Sequence, residues 1–440
     1  MADFAKINNV AAADIAKVNN VAKTDIANVN GATTPSAGTV CWMAVSTVGR
    51  IITSTSATAA SGSWNAIHQP PDAGTDCKGL AFGKDNAGAD RWIAIWDRGN
   101  NLASVSSTSV PTAEAHWVTL DLDTGDWDTG EGPNAVAYSN STGTPMWVIV
   151  GSGGRVAYSS TGSNTVADWE VDIDQYAGYA GNRPIEGVAF SGSHIFLSGA
   201  KTKIVSGSVQ SNWVNGNKIP WVFDDSDSLA QGTICMDENA TVGNGTVAWT
   251  DIHAAGTGAS TRFITISDSN NALNVPLIAS GAHGGPCCGD ATAAGGADGW
   301  HSIVHPAGTF GGHSTANARK MRGVAADDSG NWMIVGLIAQ AFLSTDNGLT
   351  WSDISSNFPA NPNGQSFANT NLMSIRWANV GGTSTWLVGG EDGYMAISTN
   401  NGSDWTAIPN HFSDAGTGAN YHIQNIAFSA VTNWPGASNE

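Results

Sequence analysis

The chain is poor in charged residues, and above all in basic ones. Asp, Glu, Lys and Arg make up 12% of its 440 residues, and 18 Lys and Arg stand against 37 Asp and Glu, so the formal net charge is −19. Nucleic acids are bound through basic surface that neutralises phosphates. The composition therefore excludes DNA and RNA as expected partners.

Long hydrophobic runs are also missing. A membrane-spanning helix needs roughly 18 or more consecutive apolar residues, whereas the longest apolar stretch, near Trp332–Leu343, is interrupted by Gly336 and Gln340. The first thirty residues contain three aspartates and no unbroken hydrophobic block, which is not the pattern of a secretory signal peptide. We expect no membrane insertion.

Cysteines are too few to form a disulfide framework in a chain of this length, since there are five. Cys41, Cys77 and Cys235 lie in or beside apolar runs, which is typical of small buried thiols. Cys287 and Cys288 are neighbours in a different setting, treated below. The cysteine pattern leaves the redox compartment open.

Glycine and tryptophan, by contrast, are abundant, with 53 and 18 residues. Many glycines and aromatics with few helix-forming charged residues favour short strands joined by turns. The composition predicts an all-β fold.

A short repeat opens the chain. The segments KINNV, KVNNV and NVNGA begin at residues 6, 17 and 28, a period of eleven residues. The Asn-Asn and Asn-Gly pairs should turn the chain, and Ala12–Val18 could form a short helix capped by Asp14. An eleven-residue period can also indicate a right-handed helical supercoil, although the paired asparagines disfavour a continuous helix. Residues 33–38 have the composition of a linker, so we define residues 1–38 as the leader.

A second repeat, of about fifty residues, fills the rest of the chain. Its clearest copy runs from Arg322 to Ile354 and contains four short apolar runs separated by turn residues. This pattern is typical of one blade of a β-propeller. Seven such units can be counted, with opening strands that include Gly79–Phe82, Gly187–Phe190 and, more weakly, Gly232–Cys235.

The two ends of the repeat region complement each other. The first unit starts at its second strand, Cys41–Val45, and a strand of the missing type appears near the C-terminus as Ile423–Ser429. We therefore predict a seven-bladed β-propeller over residues 39–434, closed by this C-terminal strand, with a tail at 435–440. The interval between Gly232 and Gly323 is too long for one unit, which predicts an insertion at about 279–320. A degenerate eighth blade is the alternative there.

One hairpin loop matches a known motif at every defined position. Its residues follow the pattern S-x-D-x-G-x-T-W and are Ser344, Asp346, Gly348, Thr350 and Trp351. The pattern resembles the Asp-box of bacterial-neuraminidase-type repeats, found in sialidases, sortilin-like receptors and a photosystem assembly factor. In this motif the Asp and Ser side chains bond turn amides, Gly supplies a positive φ and Trp packs between sheets. We expect a structural role for these residues.

Other units carry weaker versions of the motif. Ser398–Trp405 has Asn in place of Asp, whereas Ser159–Trp169, Thr53–Trp64 and Ser106–Trp117 keep the frame and have lost the box chemistry.

The residues that a sialidase needs are absent. Such an enzyme uses an arginine cluster, a tyrosine nucleophile with its glutamate, and an acid, but the chain has nine arginines and lacks the family's F/Y-R-I-P motif. Seven units also differ from the six blades of sialidases. We predict that the protein is not an enzyme; a sialidase-like glycoside hydrolase or a glycan-binding lectin is the alternative.

Histidines and cysteines concentrate in and near the predicted insertion. The weak metal-ligand candidates are His283, Cys287, Cys288, His301 and His305. Pro306 follows His305 and the stretch is rich in glycine, so a helical pair of ligands is not expected. Adjacent cysteines rarely chelate one zinc ion together. We favour a glycine-rich contact loop and predict neither a metal nor another cofactor.

The leader resembles the opening segments of structural proteins from tailed bacteriophages, especially marine ones. That resemblance implies small pegs that dock on a symmetric particle, their affinities combined through effective concentration. The anchor residues would be Ile7, Val10, Ile15, Val18, Val21, Ile26 and Val29. A disordered or self-associating tail is the alternative.

These resemblances together imply a virion component. We predict a tail or neck fibre or decoration appendage, present in many copies or as a homo-oligomer, bound to other virion proteins through its N-terminus. The propeller would bind a host-surface glycan or receptor, or a neighbouring virion protein. An assembly-factor-type scaffolding propeller is the other hypothesis.

Overall fold

The structure, a computed structural model, is all-β in the residues that it describes. These residues are 6–7, 10–11, 17–18, 21–22, 28–29, 32–33, 40–56, 63–65, 68–70, 76–97, 103–122, 132–140, 144–152, 155–172, 185–191, 194–199, 204–208, 232–236, 249–255, 262–267, 277–280, 300–302, 321–348, 350–360, 367–380, 383–409, 412 and 421–430. Within these ranges no helix is long and apolar enough to cross a membrane.

The leader contains three small hairpins, one for each eleven-residue repeat. Their strands are β1 (Lys6–Ile7), β2 (Val10–Ala11), β3 (Lys17–Val18), β4 (Val21–Ala22), β5 (Asn28–Val29) and β6 (Ala32–Thr33). Each pair is antiparallel, with Ile7 opposite Val10, Val18 opposite Val21 and Val29 opposite Ala32. An Asn-Asn or Asn-Gly pair therefore connects the two strands each time.

The predicted helix over Ala12–Val18 needs correction, because Lys17–Val18 is a strand. Val18 is β-branched and pairs across the asparagine turn, and this local pairing wins over the cap that Asp14 could offer. Asp14 itself lies outside the described residues.

Seven antiparallel sheets follow the leader. Their strands are β7 (Val40–Ser46), β8 (Ile51–Ser54), β9 (Cys77–Lys84), β10 (Asp90–Trp96), β11 (Ala103–Ser106), β12 (Val118–Leu120), β13 (Pro133–Ser139), β14 (Met146–Gly151), β15 (Val156–Ser159), β16 (Glu170–Asp172), β17 (Ile185–Ser191), β18 (His194–Gly199), β19 (Ile204–Ser208), β20 (Gly232–Met236), β21 (Trp249–Ala255), β22 (Arg262–Ser267), β23 (Leu277–Ser280), β24 (Trp300–Ser302), β25 (Met321–Ala326), β26 (Trp332–Gly336), β27 (Ala341–Ser344), β28 (Ser352–Asp353), β29 (Leu372–Val380), β30 (Thr383–Gly390), β31 (Met395–Ser398), β32 (Thr406–Ile408) and β33 (Ile423–Ala430).

The order of strands in each sheet follows the order of the chain, with one exception. Sheet 1 is β33-β7-β8, and sheets 2 to 7 are β9–β12, β13–β16, β17–β20, β21–β24, β25–β28 and β29–β32. Five short 3₁₀ helices lie in the described connections, namely Glu114–His116, Val166–Asp168, Ser355–Asn357, Phe367–Asn369 and Glu391–Gly393. In the described residues, sheets 2 to 7 are four-stranded antiparallel meanders and sheet 1 has three strands. Four-stranded meanders of this kind are the blades of β-propellers.

The second strands of sheets 3 and 6 are apolar along their whole length because both of their faces are covered. All six residues of β14 are buried, and so are all five of β26. The hydrophobic clusters lie between consecutive sheets, and one of them joins sheet 7 to sheet 1 through Leu387, Ile408 and Ile426. A continuous apolar run is what such a doubly covered strand requires.

Sheet 1 combines the two ends of the repeat region, as the sequence predicted. β33 pairs antiparallel with β7, from Ile423 opposite Ser46 to Ala430 opposite Val40. The rings of Trp42 and Phe428 are 4.6 Å apart across this pair.

The predicted boundaries of sheets 4 and 5 were wrong. Gly232–Met236 is the fourth strand of sheet 4 rather than an opening strand, and the first strand of sheet 5 is β21. Within the predicted insertion at 279–320, Trp300–Ser302 forms β24 and pairs with β23 as the fourth strand of sheet 5. Residues 281–299 and 303–320 lie outside the described residues. A Gly-x-apolar pattern specifies a buried strand without specifying its partner, which explains the error.

Candidate ligand-binding site

The loop between β27 and β28 that matches the Asp-box pattern is held by hydrogen bonds within the loop. Gly348 N–H donates to Ser344 Oγ at 2.9 Å, and Thr350 N–H donates to Asp346 Oδ1 at 2.8 Å. Trp351 Nε1 donates to the Gly348 carbonyl at 3.0 Å, and Gly348 has a φ of 83°. The side chains of the motif thus bond the turn that carries them.

The equivalent serine also accepts a turn amide in two loops that depart from the motif, one predicted to be a weakened copy and one predicted to have lost the box chemistry. Ser398 Oγ accepts from Gly402 N–H at 2.9 Å, and Ser159 Oγ accepts from Gly162 N–H at 3.1 Å. The expectation that Ser159–Trp169 has lost the box chemistry therefore needs correction for its serine. A serine hydroxyl at the end of the third strand is enough to accept the turn amide.

A tryptophan of the second strand adds a bond that the sequence did not reveal. Trp332 Nε1 donates to Asn347 Oδ1 at 3.1 Å, and Trp386 Nε1 donates to Asn401 Oδ1 at 3.4 Å. Both asparagines have positive φ values, 59° and 55°, a conformation that Asn tolerates better than most residues. The sequence signals for this bond were the recurring Trp of the second strand and the Asn that precedes the loop glycine.

Most metal-ligand candidates lie outside the described residues, namely His283, Cys287, Cys288 and His305. The backbone of His301 lies in β24, opposite Ile278. Among the described residues there is no group of three or more His, Cys, Asp or Glu side chains suited to a metal ion.

Two buried thiols and one buried imidazole in the sheets are held in neutral forms. Burial raises the pKa of the Cys77 thiol to about 12 and raises that of Cys41 further. Burial, with a smaller contribution from Arg376, lowers the pKa of His253 to about 3, and this imidazole packs edge-on against Trp332 at 5.8 Å. Neutral groups enclosed in this way are core residues.

The leader places the predicted anchor residues as follows. Ile7, Val10, Val18, Val21 and Val29 lie in the hairpin strands. Ile15 and Ile26 lie outside the described residues.

A β-bulge recurs at one position of every sheet. In each sheet the pairing between the first and second strands shifts at the second residue of the first strand, which is left without a partner. We call these seven residues the bulge ring, and they are Lys78, Asn134, Glu186, Thr250, Arg322, Met373 and Gln424. A bulge redirects a side chain and is often found beside a functional site.

Contacts between neighbouring first strands show at which residues these strands are aligned, and thus where their bulged residues lie relative to each other. Ile426 N–H of β33 donates to Ser374 Oγ of β29 at 3.2 Å. A Cβ on Gly323 would meet the backbone of Ser374 and Ile375 at 3.1 Å, and one on Gly79 would meet Val136 at the same distance. In these three pairs of neighbouring first strands, the third residue of one strand thus adjoins the third or fourth residue of the other. The bulged second residues of each of these pairs therefore lie at a similar level.

The bulged second position of the first strands varies in residue type, whereas the fourth position does not. The fourth position holds a branched aliphatic residue in all seven strands, namely Leu80, Val136, Val188, Ile252, Val324, Ile375 and Ile426. The second position holds seven different residue types, and the six side chains described there are all half-buried, each after a buried first residue. Packing explains the uniform positions. Packing does not explain the varied and mostly polar residues at the second positions. The bulge ring is therefore the candidate binding site.

Two charged residues of the bulge ring, Lys78 of sheet 2 and Glu186 of sheet 4, interact electrostatically. Lys78 Nζ lies 3.4 Å from a carboxylate oxygen of Asp97, and the side chains of both are 35% exposed. Burial raises the pKa of Glu186, and Lys78 partly opposes that shift. Asn134 Nδ2 donates to the Ile185 carbonyl at 2.9 Å, which ties sheet 3 to the start of sheet 4. The ring therefore offers donors and acceptors in nearly balanced charge.

The sequence did not single out the bulge ring, because a bulge is a property of strand pairing. Its trace in the sequence is the varied, mostly polar residue before the recurring Gly-Val-Ala segments, as in Glu186 before Gly187 and Arg322 before Gly323.

Comparisons with known proteins give the following. No protein-family model and no curated protein matches the chain. A structure of "YCF48 bound to D1 peptide" is similar with 8% identity and a TM-score of 0.46 over 83% of this chain and 93% of that chain. "Crystal Structure of Mitotic Checkpoint Complex" is similar with 11% identity and a TM-score of 0.44 over 80% of this chain and 83% of that chain. "Crystal structure of RRP9 WD40 repeats" is similar with 8% identity and a TM-score of 0.46 over 75% of this chain and 79% of that chain. At these identities and TM-scores, the architecture rests on the strand pairing of the chain itself.

Proposed function

We propose that the seven sheets close into a seven-bladed β-propeller that serves as a non-enzymatic binding module of a bacteriophage particle. Closure is supported by contacts between the first strands of successive sheets, including β29 with β33 and β33 with β9. Hydrophobic clusters also join sheet 1 to both of its neighbours. A closed ring leaves no sheet edge open at the join.

The observation that carries the binding role is the bulge ring. The seven bulged positions hold the same place in the strand pairing and differ in chemistry, while the fourth positions of the same strands are uniform. Loops and strand ends on a rigid scaffold are the usual places for binding residues. The end of the propeller that carries the bulge ring would face the ligand, and the Asp-box loops would hold the opposite end.

The leader would attach the propeller to the particle as a tail, neck or decoration component. Its three hairpins repeat one register at a constant spacing. A two-stranded hairpin is marginal in water by itself, so each hairpin would gain its stability on docking. Three linked contacts would raise the overall affinity for a particle with several equivalent sites.

Serine substitution in the leader tests the attachment. In a phage that carries the gene, the triple substitution Ile15→Ser, Val18→Ser and Val21→Ser should abolish incorporation, because roughly 1–2 kcal/mol of apolar burial is lost per side chain. The copies per purified particle are measured by quantitative mass spectrometry. The melting curve of the isolated protein should not change.

A matched control replaces leader residues of another type. Lys6→Ser, Lys17→Ser and Lys23→Ser keep every aliphatic anchor residue and should leave incorporation near the wild-type level. Normal incorporation of the aliphatic variant, or collapse of its propeller, would refute the anchor role.

A further inference from the structure

We propose that the bulge ring binds a neutral saccharide by hydrogen bonds to its hydroxyl groups. This inference rests on the proposed function, because it requires the seven bulged residues to surround one mouth of a closed propeller.

The side chains of the ring match the hydrogen-bonding needs of a sugar. A hydroxyl donates one hydrogen bond and accepts others, so it is best satisfied where donors and acceptors alternate. Gln424 and Asn134 offer both kinds of atom, and the Asn134 Nδ2 donates to the Ile185 carbonyl. Lys78 and Arg322 donate, and Glu186 accepts.

Partial burial makes these hydrogen bonds selective. The six described ring side chains are half-buried, between a buried residue on one side and the packed third and fourth positions on the other. Polar groups in such a setting lose water when a ligand covers them. A ligand without hydroxyls would leave them unsatisfied, which disfavours its binding.

The charge balance favours a neutral sugar over an acidic one. Lys78 Nζ forms an ion pair with the Asp97 carboxylate at 3.4 Å. The charge of Lys78 also lowers the pKa of Glu186, against the effect of burial. The chain as a whole carries a net charge of −19. The field of this charge repels polyanions and leaves neutral ligands unaffected.

The ring is poorly suited to a peptide side chain or a lipid. Met373 is its one apolar member, and no aromatic residue occupies any of the seven positions. Protein interfaces are usually anchored by aromatic and large apolar residues in their centre.

Binding without hydrolysis follows from the carboxylates of the ring. Most glycosidases place two carboxyl groups on either side of the bond that they break. Glu186 is the one carboxylate among the seven ring residues, and the neighbouring Asp97 is paired with Lys78.

The test uses the full chain and an array of defined neutral and acidic glycans, followed by calorimetric titration of the best saccharide. We expect a neutral glycan to bind, with Asn134→Ala and Gln424→Ala each lowering the affinity about 3- to 10-fold, the loss of one or two neutral hydrogen bonds. Asn86→Ala is the matched control, because Asn86 is an exposed amide in the loop at the other end of β9 and should leave the affinity unchanged. Melting curves show whether each variant is folded.

Should Asn134→Ala disturb the sheets through its bond to Ile185, Gln424→Glu provides a variant that keeps size and shape. It should weaken neutral glycan binding by a similar factor. The inference is overturned if no glycan binds at millimolar concentration, if acidic glycans or peptides are preferred, if the ring variants bind normally, or if the bound saccharide is hydrolysed. These results are separate from particle incorporation, which depends on the leader and is measured on its own.

Discussion

The loops between the third and fourth strands of sheets 6 and 7 form the same turn, but the hydrogen bond between their two side chains runs in opposite directions. In sheet 6, Asp346 accepts from the Thr350 hydroxyl and from the Thr350 amide. In sheet 7, the residue at the Asp position is Asn400, whose Nδ2 donates to Asp404 Oδ2 at 2.8 Å, while its Oδ1 accepts from Asp404 N–H at 3.0 Å. The acid has moved by four residues, and the turn is closed in both cases.

This exchange predicts that Asn400 and Asp404 tolerate substitution together better than singly. Asn400→Asp places two carboxylates 2.8 Å apart where a hydrogen bond stood, and should destabilise the protein by about 1 kcal/mol or more. Adding Asp404→Thr recreates the sheet 6 pair and should recover most of that loss. Urea denaturation of the two single variants and the double variant gives the coupling free energy.

The control for this cycle lies in sheet 6. Asp346→Ala removes an acceptor of both Thr350 bonds and should cost about 1–3 kcal/mol without a specific loss of ligand affinity. Additive effects at Asn400 and Asp404, or lost ligand binding in a stable Asp346→Ala protein, would contradict the structural role of these loops.

At the scale of single elements, the turns between second and third strands contain unusual backbone. Val48 and Ile338 have φ values of 60° and 56°, which are rare for β-branched residues. Ile338 N–H donates to Asn371 Oδ1 at 2.9 Å, and the equivalent Asp392 N–H of sheet 7 donates to His422 Nδ1 at 3.0 Å. These turns contact the residue that precedes the next first strand, and thus lie at the end of the sheets where the bulge ring begins.

Val48→Asn should therefore stabilise the protein by about 0.5–1.5 kcal/mol, because Asn adopts a left-handed conformation with less strain. Val48 is 37% exposed, so little packing is lost. The midpoint of urea denaturation measures the change. Val118→Asn is the control, since Val118 is 50% exposed in the extended strand β12 and the same substitution should there be neutral or unfavourable. An equal response at both positions would disprove the strain.

Some elements could be predicted from the sequence because their signal is local. The runs that begin with Trp147, Trp332 and Trp386 are apolar throughout, and each is a buried second strand. The Asp-box turn is likewise encoded by five residues of one loop. The pairing of β33 with β7 could be predicted because the first unit lacked a strand that the last one supplied.

Other features depend on pairing between distant residues, which periodicity does not encode. The Gly232–Met236 strand resembles an opening strand in pattern and occupies a fourth position. The leader strands have two residues each, which is too short for the alternation of apolar and polar residues that identifies a strand. The bulge at Glu186 or Gln424 is visible when both strands are aligned, because it is a mismatch of one residue between them.

At the scale of the whole molecule, one strand pair joins residues that are far apart in the chain. The β33–β7 pair links residues 423–430 to residues 40–46, and Ile423 and Ile426 are fully buried between sheet 7 and sheet 1. Forming this pair requires closure of a loop of nearly four hundred residues, whose entropy grows slowly with length. The buried side chains and the hydrogen bonds of the pair offset that cost.

Deletion of residues 421–440 should expose an edge of β7, lower the melting temperature sharply and promote aggregation. Deletion of residues 431–440 is the matched control, because it leaves β33 complete, and it should melt like the full chain. Thermal unfolding and light scattering of the three proteins measure the effect. If the join holds the ring closed, adding a peptide of residues 421–430 to the longer deletion should restore part of the melting temperature, since a ligand that binds the folded state stabilises it by mass action. A longer deletion that melts like the full chain would show that β33 does not close the propeller, because sheet 1 would then be stable without its first strand.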